Sequence, residues 1–113
     1  MAIATYQDRL RHILHSISAI EGYWAGRTLA DFEQDEPKRT ATERHLLIIA
    51  EASKYIPEAE KAARPYIGWR DITRLGNLLR HGYNVIENDR VWDIVQADLG
   101  PLATTINEML ASA

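Results

Sequence analysis

Residues 69–83, WRDITRLGNLLRHGY, return an apolar side chain every three or four positions and carry three arginines and a histidine in between. At about 100° per residue, a helix sends Trp69, Ile72, Leu75, Gly76, Leu78, Leu79, Gly82 and Tyr83 to one half, which is expected to pack inward. Arg70, Thr73, Arg74, Asn77, Arg80 and His81 then share an outward arc of roughly 120°, with Asp71 near its edge. A strand would need strict apolar–polar alternation, and neither this stretch nor any other shows it.

Outward from this helix the same three-and-four spacing recurs. Ile3, Tyr6, Leu10, Ile13, Leu14, Ile17, Ile20 and Trp24 form one stripe of a long first helix, with Gly26 marking its end. Thr28 is placed to cap a short turn over LADFEQD, residues 29–35. Pro37 to about Ile56 reads as a helix with a dense apolar centre, Leu46 to Ala50, and PEAEKAARP, residues 57–65, as a short solvated one. Asn88 or Asp89 is expected to cap a last helix running to Leu110, kinked or broken at Gly100–Pro101. These elements predict an all-α, up-and-down bundle of four main helices with short connectors, one domain over residues 1–113.

Composition narrows the function classes. The chain has 113 residues, 46% hydrophobic and 26% charged, the balance of a globular protein. Without cysteine it has no disulfides, thiolate nucleophiles or cysteine metal sites. No run is apolar enough to span a bilayer, and charges in MAIATYQDRLRHIL break the apolar core a signal peptide needs, so a cytoplasmic protein without membrane contact is expected. A net charge of −3 excludes a globally basic nucleic-acid coat and leaves a local patch as the place where an anion could bind.

The strip on residues 70–81 is such a patch. Arg70 and Arg74 stand four apart, a like-charge spacing that destabilises an isolated helix by roughly 0.2–0.5 kcal/mol, so an anionic counterpart is implied. Two counterparts remain open. Carboxylates of the same chain, such as Glu43, Glu51 or Glu87, could neutralise it, the usual fate of a charged face. Alternatively a phosphodiester sits there, gripped by the planar arginine forks, with His81 giving or taking a proton near neutral pH. In RNA the ribose 2′-hydroxyl could then attack the adjacent phosphorus without a metal, a reaction closed to DNA.

ERHLLIIAEASKYIP (residues 43–57), WRDITRLGNLLRHGYNVIENDRVWDIVQADLGPL (residues 69–102) and the N-terminal helix resemble the HepT-like branch of the HEPN domain family. The features that carry the resemblance are Glu51, the Trp69-Arg70-Asp71 helix start, the Asn77–Tyr83 segment and the Val91-Trp92 pair. The resemblance implies a small helical homodimer, the toxin of a two-gene toxin–antitoxin system. It further implies a metal-independent endoribonuclease built from paired motifs at the dimer interface, with RNA as substrate and no cofactor. The partner it implies is an MntA-like minimal nucleotidyltransferase, and Tyr83, two residues after the motif histidine, occupies the place where such an enzyme attaches AMP. A bulky anion there would repel and obstruct RNA. The family motif has arginine five residues before the histidine; here that residue is Gly76. Arg74 on the same helical face and Arg80 beside the histidine are the two candidates to supply the charge.

The expected site is therefore His81 for proton transfer, Arg74 or Arg80 as phosphate clamp and Asn77 to orient the scissile group, supported by Arg70 and Glu51. Glu51 is placed either to orient His81 or Arg74 or to serve as a simple ion-pair partner. The rival expectation is a non-catalytic module that docks a nucleotide or the nucleotidyltransferase. Asp8, His12 and His15 have a spacing that could hold a metal but read as a solvated surface set, and no metal is expected. His45 reads as a packing or hydrogen-bonding residue, and Trp24, Trp69 and Trp92 as core.

Overall fold

Thr5 opens the first helix with a capping box: its hydroxyl accepts the Asp8 amide while the Asp8 carboxylate accepts the Thr5 amide. These bonds hold the Asp8 carboxyl below the usual carboxylate range, the Thr5 backbone N–H contributing most. The computed structural model describes residues 5–81 and 87–112. The first helix, α1, spans Tyr6–Trp24, and the chain turns at Gly26, whose φ of 72° lies in the left-handed region that only glycine enters freely. Thr28 repeats the capping box with Asp31 at the head of α2, Leu29–Gln34.

Asp35 caps α3, Glu36–Ser53, in which Pro37 sits in the first turn, where its missing amide removes no helical bond. Then follow α4, Glu58–Ala62, and α5, Trp69–His81. The last run divides into α6, Asn88–Ala97, and α7, Leu99–Ala111. The break falls at Asp98, not at Gly100–Pro101. A proline ring clashes with the carbonyl four residues back, so Pro101 stops the helix at Ala97 and is itself accommodated in the first turn of α7. Glu87 occupies the cap position of α6 in place of the expected Asn88 or Asp89, and it makes no side-chain cap bond.

The core is assembled around α1, which packs on α3 and α7. Leu10, Ile13, Ile17, Ile20 and Trp24 are buried from α1, Leu46, Ile49 and Ala52 from α3, and Leu102, Ile106 and Met109 from α7. Each leucine, isoleucine or methionine withdrawn from water this way contributes about 1.5–3 kcal/mol. Trp24 meets Phe32 and Trp92 at ring separations of 4.8 and 5.8 Å, and its indole N–H donates to Thr42 Oγ1 at 2.8 Å. Trp69 and Trp92, half-buried, pack against the same core. Among the described residues no helix is long and apolar enough to cross a membrane.

In contrast, α5 lies on α3 alone among the principal helix contacts. At the crossing, Gly76 is buried, and a Cβ placed there would lie 2.6 Å from the Ala50 Cβ. The two helices approach so closely that only a hydrogen fits. Leu78, expected inward, is 42% exposed. It stands two residues from Gly76, about 200° around the wheel, and so faces directly away from the contact. Ile3, Gly82 and Tyr83, also expected inward, lie outside the described residues.

Candidate functional site

The wheel centred on Gly76 explains how the cationic strip divides. Arg80 is four residues on, only about 40° from the contact line, whereas Arg74 and His81 are about 160° and 140° away. Arg80 therefore turns toward α3, its side chain 28% exposed, while Arg74 stands out at 70%. His81, the last residue of α5, and Arg70 are exposed. Arg74 and His81 are two turns apart, about 10 Å along the axis, which the long arginine side chain can partly span.

The carboxylate expected to compete for the strip does reach it at one point. Glu51 Oε1 forms an ion pair with Arg80 and lies 3.3 Å from Lys54 Nζ. Asn77 Oδ1 accepts from Arg80 at 2.6 Å, so the guanidinium is held from its own helix and from α3. Arg74 faces Asp71 at 3.5 Å, a solvated pair that a stronger anion can displace. Arg70 has no carboxylate within 4 Å among the described residues, and Glu43 and Glu87 pair with no base there. Burial raises the Glu43 carboxyl, Arg39 opposing. Thus Arg70, Arg74 and His81 form one accessible face, and Arg80 with Asn77 and Glu51 a second, internally satisfied group beside it. Tyr83 lies outside the described residues.

Beside Arg80 opens a groove of about 440 Å³ whose walls include Arg9 and His12 of α1 and Arg44 of α3, with Leu47, Ile48 and Glu51 also lining it. Sequence reasoning passed over it. Arg9 and Arg44 belong to helices separated by the whole α2 region, and the one available sign was that the apolar run Leu46 to Ala50 is too long for one helix face, so that Leu47 and Ile48 had to point elsewhere.

The histidines of α1 part company. Asp8 is engaged with Thr5 and with Arg11 at 3.2 Å, and His15 lies edge-on to His45 with ring centres 6.3 Å apart. Among the described residues no group of His, Asp and Glu could hold a metal ion. His45 Nδ1 is 3.0 Å from Ser16 Oγ and Nε2 is 3.4 Å from Tyr23 Oη, the hydrogen-bonding role its position implied. Burial, with His15 and Arg44 adding to it, pushes the His45 imidazole below its usual value.

Comparison with known proteins bears on what such a face serves. The family model described as ribonuclease HepT-like matches residues 13–109. A "Probable ribonuclease HepT" of Thermococcus cleftensis is 34% identical over 98 residues, covering 87% of this chain and 89% of that protein. A "Putative RNase" of Caldanaerobacter subterraneus is 26% identical over 106 residues, 94% of this chain and 95% of that protein. A "Gamma-glutamylcyclotransferase and putative RNase" of Methanocaldococcus jannaschii is 29% identical over 101 residues, 89% of this chain but 46% of that longer protein. No solved structure matches. The match runs from the middle of α1 to the last turns of α7, taking in the helical core and the histidine-bearing helix alike, and the chain belongs to the ribonuclease HepT-like family.

Proposed function

We propose that this chain is a metal-independent endoribonuclease, acting in the cytoplasm as the toxin of a HepT/MntA-like toxin–antitoxin pair. The observation that carries the reading is the accessible face of Arg70, Arg74 and His81 on a chain of net charge −3. A ribose 2′-hydroxyl, held near the adjacent phosphorus, gives its proton to an imidazole as it attacks. The bond from phosphorus to the 5′-oxygen breaks, and that oxygen takes up a proton, leaving a cyclic phosphate and a 5′-hydroxyl end. Arg74 neutralises the phosphorane charge, and Arg80 joins it when it exchanges Glu51 for phosphate. Asn77 holds Arg80 for that exchange. Two copies paired about α5 would place two such strips at one cleft, one imidazole accepting while the other donates. Transfer of AMP from ATP to the Tyr83 hydroxyl by a nucleotidyltransferase partner, with release of pyrophosphate, would add a phosphate two residues from His81 in the sequence and repel the RNA.

The test is cleavage of RNA in EDTA by wild type and His81→Ala. Wild type should cut RNA and not DNA, and the variant should lose at least about 100-fold in rate. Sedimentation checks the pairing: a fully active monomer would refute the shared site. Mass spectrometry after incubation with ATP and the partner should show one AMP, absent from Tyr83→Phe. A specific observation favours a second reading. The close packing of Gly76 on Ala50 leaves no room for an arginine at the family motif position, so this branch could retain the fold and the partner as a non-catalytic docking module. Failure of unmodified wild type to cut any RNA decides for that reading.

A further inference from the structure

The groove beside Arg80 brings Arg9, His12, Arg44 and Arg80 from three helices around one carboxylate, Glu51, which is already shared between Arg80 and Lys54. Among the described residues, neither Arg9 nor Arg44 has an acidic partner within 4 Å. Arg9 Nε is buried without a hydrogen-bond partner, and the guanidinium carbon lies 3.8 Å over the Tyr55 ring. The aromatic face fixes the guanidinium plane while leaving its in-plane N–H groups unspent, and a desolvated donor is costly until an acceptor arrives. In an acidic chain, this much uncompensated positive charge at one concavity implies an outside anion.

We propose that this groove is a second phosphate subsite, which takes a backbone phosphate of the RNA strand next to the scissile one. The inference rests on the ribonuclease reading for the nature of the strand. Arg9, His12 and Arg44 contact the phosphate, while Leu47, Ile48 and Ala52 offer an aliphatic floor to the attached ribose or base. That floor, and the continuity with the α5 strip through Arg80, favour a strand over a free, fully hydrated phosphate.

The test measures binding of a short single-stranded RNA by fluorescence anisotropy, in a His81→Ala background that keeps the strand intact. Arg44→Gln and Arg9→Gln should each weaken binding about ten-fold and lower the slope of log affinity against log salt by about 0.7. Arg27→Gln, the same charge loss on the far loop, should do neither. In the presence of His81, Arg44→Gln should lose several-fold more kcat/KM on the longer strand than on a dinucleotide, which carries only the scissile phosphate. Arg44 is exposed, so its variant folds even if the Arg9 variant, deprived of its Tyr55 contact, does not. Equal RNA affinity in Arg44→Gln and Arg27→Gln overturns the subsite. Displacement of RNA by inorganic phosphate or AMP at concentrations matching the RNA dissociation constant overturns the assignment to a strand. If wild type cuts nothing, the ribonuclease reading fails, yet the two binding arms still decide the groove.

Discussion

The two faces of α3 do opposite work. Toward α1 it seals polar groups in pairs, Thr42 with the Trp24 indole and His45 with Ser16, beside the buried core residues Leu46, Ile49 and Ala52. Toward α5 the contact is a single close approach, Gly76 against Ala50, flanked by half-buried Ile72, Leu75 and Leu79, with Leu78 facing solvent. The first interface spends its side chains on stability. The second holds a helix firmly along one line and leaves the remainder of its circumference for charge. A site that must exchange internal carboxylates for an external phosphate needs the second kind of support.

Truncation should expose the contrast most strongly. Ile17→Ala, in the fully packed interface, should cost about 3 kcal/mol, whereas Leu78→Ala should cost under about 0.5 kcal/mol in chemical denaturation. Comparable losses at both positions would mean that Leu78 is covered in solution, as a second copy of the chain could do.

The close approach offers the next largest effect. Alanine is the better helix former by about 1 kcal/mol, yet Gly76→Ala should destabilise by about 1–2 kcal/mol, because two backbone-tethered Cβ atoms have no rotamer by which to separate. Ala50→Gly added to it should recover most of that loss, a coupling of about 1 kcal/mol in a double-mutant cycle. A stabilised single variant would show that α5 sits farther from α3 than 2.6 Å of Cβ separation implies.

How much of this could be read in the residues follows the range of the forces involved. The stripe on α1, the Thr28 cap and the amphipathic character of α5 depend on neighbours within one turn, and each was legible. The break at Asp98 was misplaced because proline acts on the preceding turn, not at its own position. The α5 strip was visible as an arc, but its division was not. Assigning Arg80 to Glu51 requires knowing which edge of the arc meets α3, and that is set by Gly76, a residue legible only as a missing arginine. The groove was hidden altogether, since its cations come from three helices and share no local pattern.

Acid should weaken the tight face before the open one. The folded state holds His45 below the ordinary imidazole value, so between that lowered value and about 6.5 the unfolded chain binds more protons than the folded one. The contribution is fully present above about pH 6.5 and is lost as pH falls through the lowered value. Protonation would put a cation against His15 and Arg44 and disturb the Ser16 and Tyr23 contacts. Urea midpoints at pH 7.5 and 5.5 should therefore differ more for wild type than for His45→Gln, and equal differences would remove His45 from the account.

The smallest effect on stability carries the most information about the site. Glu51 and Arg80 are both partly exposed, so Glu51→Gln should cost less than about 1 kcal/mol in unfolding. Its effect on RNA depends on what the ion pair is for. If Glu51 occupies the place of a phosphate until one arrives, removing its charge spares the strand that competition, and RNA affinity should rise two- to five-fold, the gain fading at high salt as exposed charges are screened. If Glu51 instead holds Arg80 in position, the freed guanidinium becomes disordered, and the same substitution weakens binding and slows cleavage. The Asn77 bond to Arg80 separates the two cases. With Asn77 still in place the arginine keeps one anchor, so a rise in affinity for Glu51→Gln that disappears in Glu51→Gln/Asn77→Ala would identify Asn77 as the positioning residue and Glu51 as the competitor.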